Sequence, residues 1–382
     1  MKVSQVIISV GRGGWSFGQI AYYLNKEFIK KEVDSALICG YLSDSLDKKT
    51  ELHFLNSRLV QKKEEVHNSI IQRLINLLAE PIFHISSFIY VKKHKASLGF
   101  VIDHAGIAGD FMLIHGCVHK EIMIRLKSHD LIFLVNPLFY YRYLLEICRF
   151  YIKKPIKYIV VSKRLKQEIM DIYKIPSKDI VIIPNGVDLE RFNPEKAFYL
   201  RDKVRYEYNI PLDSNLLLFV AHNFWLKGLT FVIKALENLT NCYLLVVGSG
   251  IKKPFESLAN ELGIKSRVIF TGSVHDVSRF YVASDIFVYP SSYDVFSLVC
   301  MEALASGLPV LSTRVGGVED YLIEGKSGYF ITQDPEDIAK KVNLILSDRN
   351  LINEFRENAR KTAEKFDWNK IADKYIDLAR GF

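Results

Sequence analysis

Two carboxylates eight positions apart, Asp294 and Glu302, lie in the stretch Tyr289 to Thr313, YPSSYDVFSLVCMEALASGLPVLST. The residues around them suit a phosphorylated ligand. The run from Asp285 to Pro290 is apolar, rich in β-formers and closed by proline, the pattern of a buried parallel strand followed by a loop. Ser297 then stands where an N-cap belongs, and residues 298 to 305 are good helix formers before Gly307 and Pro309 end the run. A helix that begins there turns the amides of Leu298, Val299 and Cys300 outward. Its start carries roughly half a positive charge and unpaired N–H donors, which favour a phosphate. Asp294 precedes those amides and Glu302 follows them by about one turn, so a ligand with a central diphosphate can offer sugar hydroxyls to both acids. Taken alone, the pair also fits an ordinary loop acid and a helix-surface glutamate.

The elements that would position these residues recur along the chain. Val6 to Val10 followed by Gly11-Arg-Gly-Gly14 reads as strand, glycine-rich turn and helix, and glycine there lets backbone approach a ligand. Leu216 to Val220 runs into Ala221-His-Asn-Phe-Trp-Leu-Lys-Gly228. Leu244 to Gly250 and Val268 to Asp276 are two more strand-and-turn units, and Arg314 to Asp320 is another glycine loop. In the first half, Phe100-Val-Ile-Asp-His104 and Phe111-Met-Leu-Ile-His-Gly116 read as strands ending in histidines, and ligands bind at such ends in open α/β sheets. A chain of 382 residues with 49% apolar content can fill two cores. Strands alternate with helical segments throughout, which predicts an α/β protein of two doubly wound parallel sheets facing each other across a cleft.

The stretch around Asp294 and Glu302 resembles the E-x7-E pattern, with its GLPV-like tail, of family 4 retaining glycosyltransferases, proteins of the GT-B fold with two Rossmann-like domains. Ile180-Val-Ile-Ile-Pro-Asn-Gly-Val-Asp188 resembles the family's I-P-N-G-V-D segment at the hand-over between domains. The resemblance covers most of the chain, with the motifs in the family's order. It implies that Asp294, standing for the usual first Glu, contacts donor-sugar hydroxyls and that Glu302 holds the ribose. Phe296 matches the family's G-F-G pattern, Ser297 replaces its second glycine, and the amides from Ser297 to Val299 face the diphosphate. Lys227 corresponds to a lysine that grips the diphosphate, while His222 stands where relatives have an arginine. A protonated His222 can replace part of that charge only below about its usual pKa of 6.5. Gly14, Gly248 and the backbone near Val274 and His275 line the donor site by the same resemblance. His115 corresponds to the family's histidine at the reaction centre, with His104 and His119 as nearby competitors.

Charge divides unevenly. Residues 1 to 190 hold 27 Lys and Arg against 19 Asp and Glu, an excess of +8, while residues 191 to 382 hold 24 of each. An anionic acceptor or an anionic lipid surface suits the basic half. Residues 68 to 78 place Ile70, Ile71, Leu74, Ile75, Leu77 and Leu78 at helical spacing among lysines and arginines, which fits a helix lying on a membrane and equally a helix packed on its own sheet. The region from Leu74 to Val91 is interrupted by Glu80-Pro81 and His84, which argues against a spanning helix. Nucleic-acid binding is set aside because no helix-turn-helix, zinc or RNP-like pattern accompanies the charge. Five scattered cysteines without a CxxC pair fit a reduced cytoplasm and no zinc site, and the N-terminus has no cleavage-site pattern.

The expectation is therefore a retaining hexosyltransferase that moves a sugar from a nucleotide donor, UDP-sugar by the family's commonest choice, to a hydroxyl of a glycan or lipid-linked acceptor. The resemblance implies no metal or other cofactor, since no D-x-D pair is present. Residues 1–186 with 366–382 are expected to form the acceptor domain and residues 187–365 the donor domain, in the cytoplasm or at the inner face of the cell membrane. The departures at Asp294, Ser297 and His222 keep two other readings open: a non-catalytic sugar-nucleotide-binding scaffold, and a GT-B nucleotide-sugar epimerase or hydrolase.

Overall fold

The computed structural model describes residues 1–11, 16–56, 69–104, 106–127 and 136–382. The backbone divides into two compact units, residues Met1–Pro184 with Trp368–Phe382, and residues Asn185–Asp367.

The first unit has seven strands: β1 (Lys2–Val10), β2 (Asp34–Leu42), β3 (Glu51–Phe54), β4 (Phe100–Asp103), β5 (Phe111–Ile114), β6 (Lys157–Val160) and β7 (Ile180–Ile182). They pair in the order β3-β2-β1-β4-β5-β6-β7, all parallel. Both faces are covered, so the central strands are apolar almost throughout rather than alternating; Val3, Val6, Val101, Ile102, Leu113 and Ile159 are all buried. The helix Ser16–Lys30 and the terminal helix Trp368–Arg380 close one face, with Trp368 stacked on Tyr23 at 5.6 Å.

The second unit has six strands: β8 (Asn215–Val220), β9 (Cys242–Val247), β10 (Val268–Gly272), β11 (Ile286–Tyr289), β12 (Val310–Ser312) and β13 (Gly328–Phe330). Their order is β10-β9-β8-β11-β12-β13, again all parallel. Each sheet thus reverses direction once, between its first and fourth strands, β1 and β4 in one unit and β8 and β11 in the other. The carboxyl ends at such a reversal leave a crevice because the helices depart to opposite faces. The fold class expected from the sequence, two parallel α/β sheets of Rossmann type, is the one found.

The segment expected not to span a membrane is helical from Ser69 to Leu98, with Pro81 inside it and a kink at the non-helical His94. Proline removes one backbone donor, but tertiary packing holds the turn. Ala79, Glu80, Phe83, His84, Ser87 and Val91 face inward at spacings of three and four, and Glu80 receives Arg142 at 2.9 Å. Among the described residues no helix is long and apolar enough to cross a membrane.

Candidate functional site

The carboxyl ends of β8 to β11 collect most of the residues singled out in the second half. His222 and Lys227 follow β8, Gly248 follows β9, Val274 and His275 follow β10, and Asp294 to Val299 follow β11. Residues separated by up to 77 positions therefore share one edge of one sheet, on both sides of the reversal between β8 and β11.

At the centre of that edge Lys227 and Asp294 form an ion pair. Lys227 Nζ donates to Asp294 Oδ2 at 2.9 Å and to the Tyr293 carbonyl at 2.9 Å. The other supports of Asp294 are the Tyr289 hydroxyl, which donates to Oδ2 at 2.8 Å, and the Val295 amide, which donates to Oδ1 at 2.9 Å. Gly228 makes the approach possible: its φ is +81°, and a Cβ there would lie 2.1 Å from the Pro290 carbonyl oxygen. The loops after β8 and β11 touch at that glycine.

Glu302 sits inside the helix Leu298–Ala305 and has a different environment. The hydroxyl of buried Tyr281 donates to its Oε2 at 2.8 Å. Burial raises the carboxyl to about 7, against smaller downward pulls from that hydrogen bond and from Arg191. Glu302 therefore titrates near neutrality.

Ser297 occupies the N-cap position with extended dihedrals, φ −72° and ψ 97°, but its side chain caps no amide. The expected role as capping residue is thus corrected: no serine oxygen competes for the first-turn donors of Leu298 and Val299. Phe296 is a core residue, 5% exposed with its ring 5.5 Å from Tyr321, so only its backbone can face a ligand. His222 is exposed and its Nδ1 lies 3.0 Å from Ser249 Oγ, which ties the β8 loop to the β9 loop. Gly248 has φ +138°, and a Cβ there would come within 1.8 Å of the Ala221 carbonyl oxygen. No side chain other than hydrogen fits. Val274 is half-buried and His275 exposed at the same edge.

In the first unit, Gly14 lies outside the described residues. His115 follows β5, is half-buried, and is held well below its ordinary pKa by burial, with His104 and Arg149 adding to the effect. His104 is a packed residue: 1% exposed, Nε2 3.0 Å from Gln5 Oε1, and pushed down to about 4 by burial. His119 donates its backbone N–H to Glu146 at the start of the helix Val118–Lys127. Of the three histidines, His115 is the one singled out from the sequence, and it directly follows the carboxyl end of β5.

Sequence reading missed Tyr281, Tyr289 and Arg191. Tyr289 was visible as an aromatic residue closing a strand five positions before Asp294. Tyr281 and Arg191 carry no sequence signal, because the hydrogen bond of Tyr281 to Glu302 and the electrostatic pull of Arg191 on it arise only when separate elements pack.

Comparison with known proteins gives the family. A model described as Glycosyltransferase Family 4 matches residues 25–191, and one described as Glycosyl transferases group 1 matches residues 201–362. The chain belongs to the GT-B glycosyltransferases. It is 30% identical over 228 residues to an uncharacterized glycosyltransferase of Methanocaldococcus jannaschii, covering 58% of each chain. It is 29% identical over 235 residues to the lipopolysaccharide glucosyltransferase WaaG of Escherichia coli, covering 60% of this chain and 63% of that one. The matched stretch is thus under two thirds of the length of these curated relatives. The crystal structure of WaaG superposes over the whole of both chains with a TM-score of 0.75 at 22% identity. That of Anabaena HepE in complex with UDP and glucose covers both chains completely with a TM-score of 0.71 at 15% identity, a likeness of fold.

Proposed function

We propose that this GT-B protein is a retaining glycosyltransferase that moves a hexose from a nucleotide-diphosphate donor, UDP-sugar in the first place, to a hydroxyl of a glycan or lipid-linked acceptor in cell-surface polysaccharide or lipopolysaccharide synthesis. The observation that carries the reading is the Lys227–Asp294 pair at the β8/β11 reversal. An ammonium has three donors. Lys227 spends one on Asp294 and one on the Tyr293 carbonyl, so its position is fixed before any ligand arrives while a third N–H remains for a phosphate oxygen. Negative charge grows on the diphosphate as the glycosidic bond breaks, and a preorganised cation together with first-turn amides stabilises it.

Asp294, oriented by Lys227 and Tyr289, receives sugar hydroxyls. Glu302 receives the ribose hydroxyls and, with its carboxyl near 7, does so best when ionised. Attack and departure take place on one face of the sugar, the leaving phosphate takes the acceptor proton, and no covalent carboxylate intermediate forms. His115, neutral under these conditions, contributes a hydrogen bond to the sugar. The reaction needs no metal, because Lys227 and the helix start carry the charge. HepE, with UDP and glucose bound, and WaaG, named for lipopolysaccharide, support the choice of donor and pathway. The test is incubation of UDP-glucose and UDP-galactose with and without a lipopolysaccharide-core acceptor in EDTA. α-Linked product formed only with acceptor supports the reading. Free sugar or an epimerised donor without acceptor refutes it.

The acceptor side is proposed to rest on an anionic membrane surface at the inner face of the cell membrane. Along the helix Ser69–Leu98, Leu78, Ile82, Ile85 and Ile89 are exposed at spacings of four, three and four, the opposite of an ordinary amphipathic surface helix. Lys92, Lys93 and Lys95 follow on the same helix. An exposed apolar stripe beside lysines suits the headgroup boundary of anionic lipid. Flotation with vesicles of phosphatidylglycerol and phosphatidylcholine tests it: Ile85→Glu with Ile89→Glu should abolish binding, and equal binding to neutral vesicles contradicts the electrostatic part.

A further inference from the structure

The second unit has another cavity at the opposite edge of its sheet, and we propose that it binds a phosphate-bearing small metabolite whose presence is felt at Glu302. The link to Glu302 rests on the donor site proposed above, while the binding itself does not. The cavity has a volume of about 880 Å³ and is lined by residues that precede strands: Asn215 before or at the start of β8, Ser284 and Asp285 before β11, and Gly307 and Leu308 before β12. The donor-site residues all follow strands, so the two sites lie at opposite ends of the same sheet.

The electrostatics are unusual for a structural ion pair. Asp285, 5% exposed, receives three guanidinium groups: Arg201 Nη2 at 2.7 Å and Arg356 Nη2 at 3.1 Å on Oδ1, and Arg205 Nη2 at 2.9 Å on Oδ2. The Leu216 amide takes Oδ2 as well, at 2.9 Å. One negative charge thus faces three positive ones. Arg205 is satisfied, with further bonds to the carbonyls of Ala283, Pro211 and Ser214. Arg201 also reaches the carbonyls of Ala283 and Ser284. Arg356 differs: among the described residues its side chain makes one hydrogen bond, to Asp285, which leaves the rest of a five-donor fork at the cavity. The other lining cations are matched, Lys361 by Glu357 and Arg360 by Glu364, and Asp213 is the remaining lining acid.

A second, independent observation points the same way. Ser306 lines the cavity, is 4% exposed, and its hydroxyl has no hydrogen-bond partner among the described residues. Buried hydroxyls are normally bonded. Arginine forks recognise phosphate oxygens bidentately, a hydroxyl completes such a cradle, and the apolar wall of Leu308, Leu346 and Ile352 suits the carbon skeleton of a sugar phosphate.

Ser306 is also the residue that ends the helix carrying Glu302: its backbone N–H donates to the Glu302 carbonyl at 3.0 Å. Tyr281 lines the cavity while its hydroxyl donates to the Glu302 carboxylate. A ligand that pulls on Ser306 or shifts Tyr281 therefore acts one contact from Glu302.

The experiment is calorimetric titration of the full chain with inorganic phosphate, with a hexose phosphate and with the unphosphorylated hexose, each repeated on Arg356→Ala and Ser306→Ala. Arg356 is partly exposed and Ser306 gives up no hydrogen bond, so both variants should fold, which circular dichroism checks. The expected result is binding of the hexose phosphate but not the hexose, weakened about tenfold or more in Arg356→Ala. Phosphate binding as tight as the hexose phosphate would identify the free anion as ligand and refute the metabolite. Absence of binding, or binding equal in the wild type and Arg356→Ala, refutes the site. UDP titrated with saturating ligand should show an affinity changed by about fivefold or more. An unchanged UDP affinity refutes the link to Glu302, and failure of UDP to bind at all speaks against the donor-site reading instead.

Discussion

The two units share a strand order and a reversal point, yet their crevices are furnished in opposite ways. In the second unit an acid and a cation from different loops, Asp294 and Lys227, hold each other at 2.9 Å, and a second acid, Glu302, is raised to about 7 by burial. In the first unit the strand-end acid is consumed by the backbone: buried Asp103 accepts the amides of Gly106 and Ala108 at 2.6 Å each. What is left there is basic or neutral, with His104 and His115 both pushed down by burial and Arg149 donating to the Leu113 carbonyl at 2.8 Å. Topology makes a crevice in both places. The side chains differ: the second crevice holds a paired acid and cation, while the first holds an acid bonded to backbone amides and a buried histidine.

The comparison breaks most easily at Lys227. Lys227→Met removes the cation and leaves Asp294 with only Tyr289 and the Val295 amide, so turnover should fall by about 10² to 10³ in steady-state assays. The neutral change His115→Asn in the other unit should cost about tenfold, the value of one hydrogen bond to the sugar. Equal losses at the two positions would erase the distinction between the crevices.

Stability should follow the same division. Gly248→Ala forces a side chain into a backbone with φ +138° and against the Ala221 carbonyl, and should destabilise the second unit by on the order of 2 kcal/mol or more in denaturant melts. A mild effect would mean that the β8 and β9 loops are free to separate.

The smallest effects are those of pH, and they have opposite signs in the two units. Glu302 is raised in the folded state, so the folded chain binds the extra proton and its stability falls as pH rises from about 4.3, the unfolded value, to about 7. The slope approaches 1.4 kcal/mol per pH unit at most. Glu302→Gln should match the wild type near pH 5 and exceed it near pH 8. The first-unit histidines are lowered, so the unfolded chain binds the extra proton and their contribution is lost as pH falls below about 6.5. His104→Gln should flatten that acid limb of the Tm profile.

The second unit's candidate residues could be singled out from the sequence because the elements that carry them are local. An apolar strand, a proline, an acid and a helix start follow one another within Asp285 to Ala305, and the glycines that steer the loops are visible as glycines. Strand identity was legible for a related reason: strands covered on both faces read as continuous apolar runs. What stayed hidden depends on contacts between distant positions. The Lys227–Asp294 bond spans 67 residues, the Tyr281–Glu302 bond 21, and the three arginines on Asp285 come from two helices. Ser297 misled because an N-cap residue type at an N-cap position still has to point its oxygen at an amide.

The most direct measurement of the central claim, that the β8/β11 crevice holds a nucleotide diphosphate, is calorimetric titration of the wild type and Glu302→Ala with UDP, GDP, ADP and CMP in EDTA at pH 8, where Glu302 is ionised. The account predicts that UDP binds the wild type without metal and that Glu302→Ala weakens it by about tenfold or more. Binding of no nucleotide, or binding indifferent to Glu302, would contradict it.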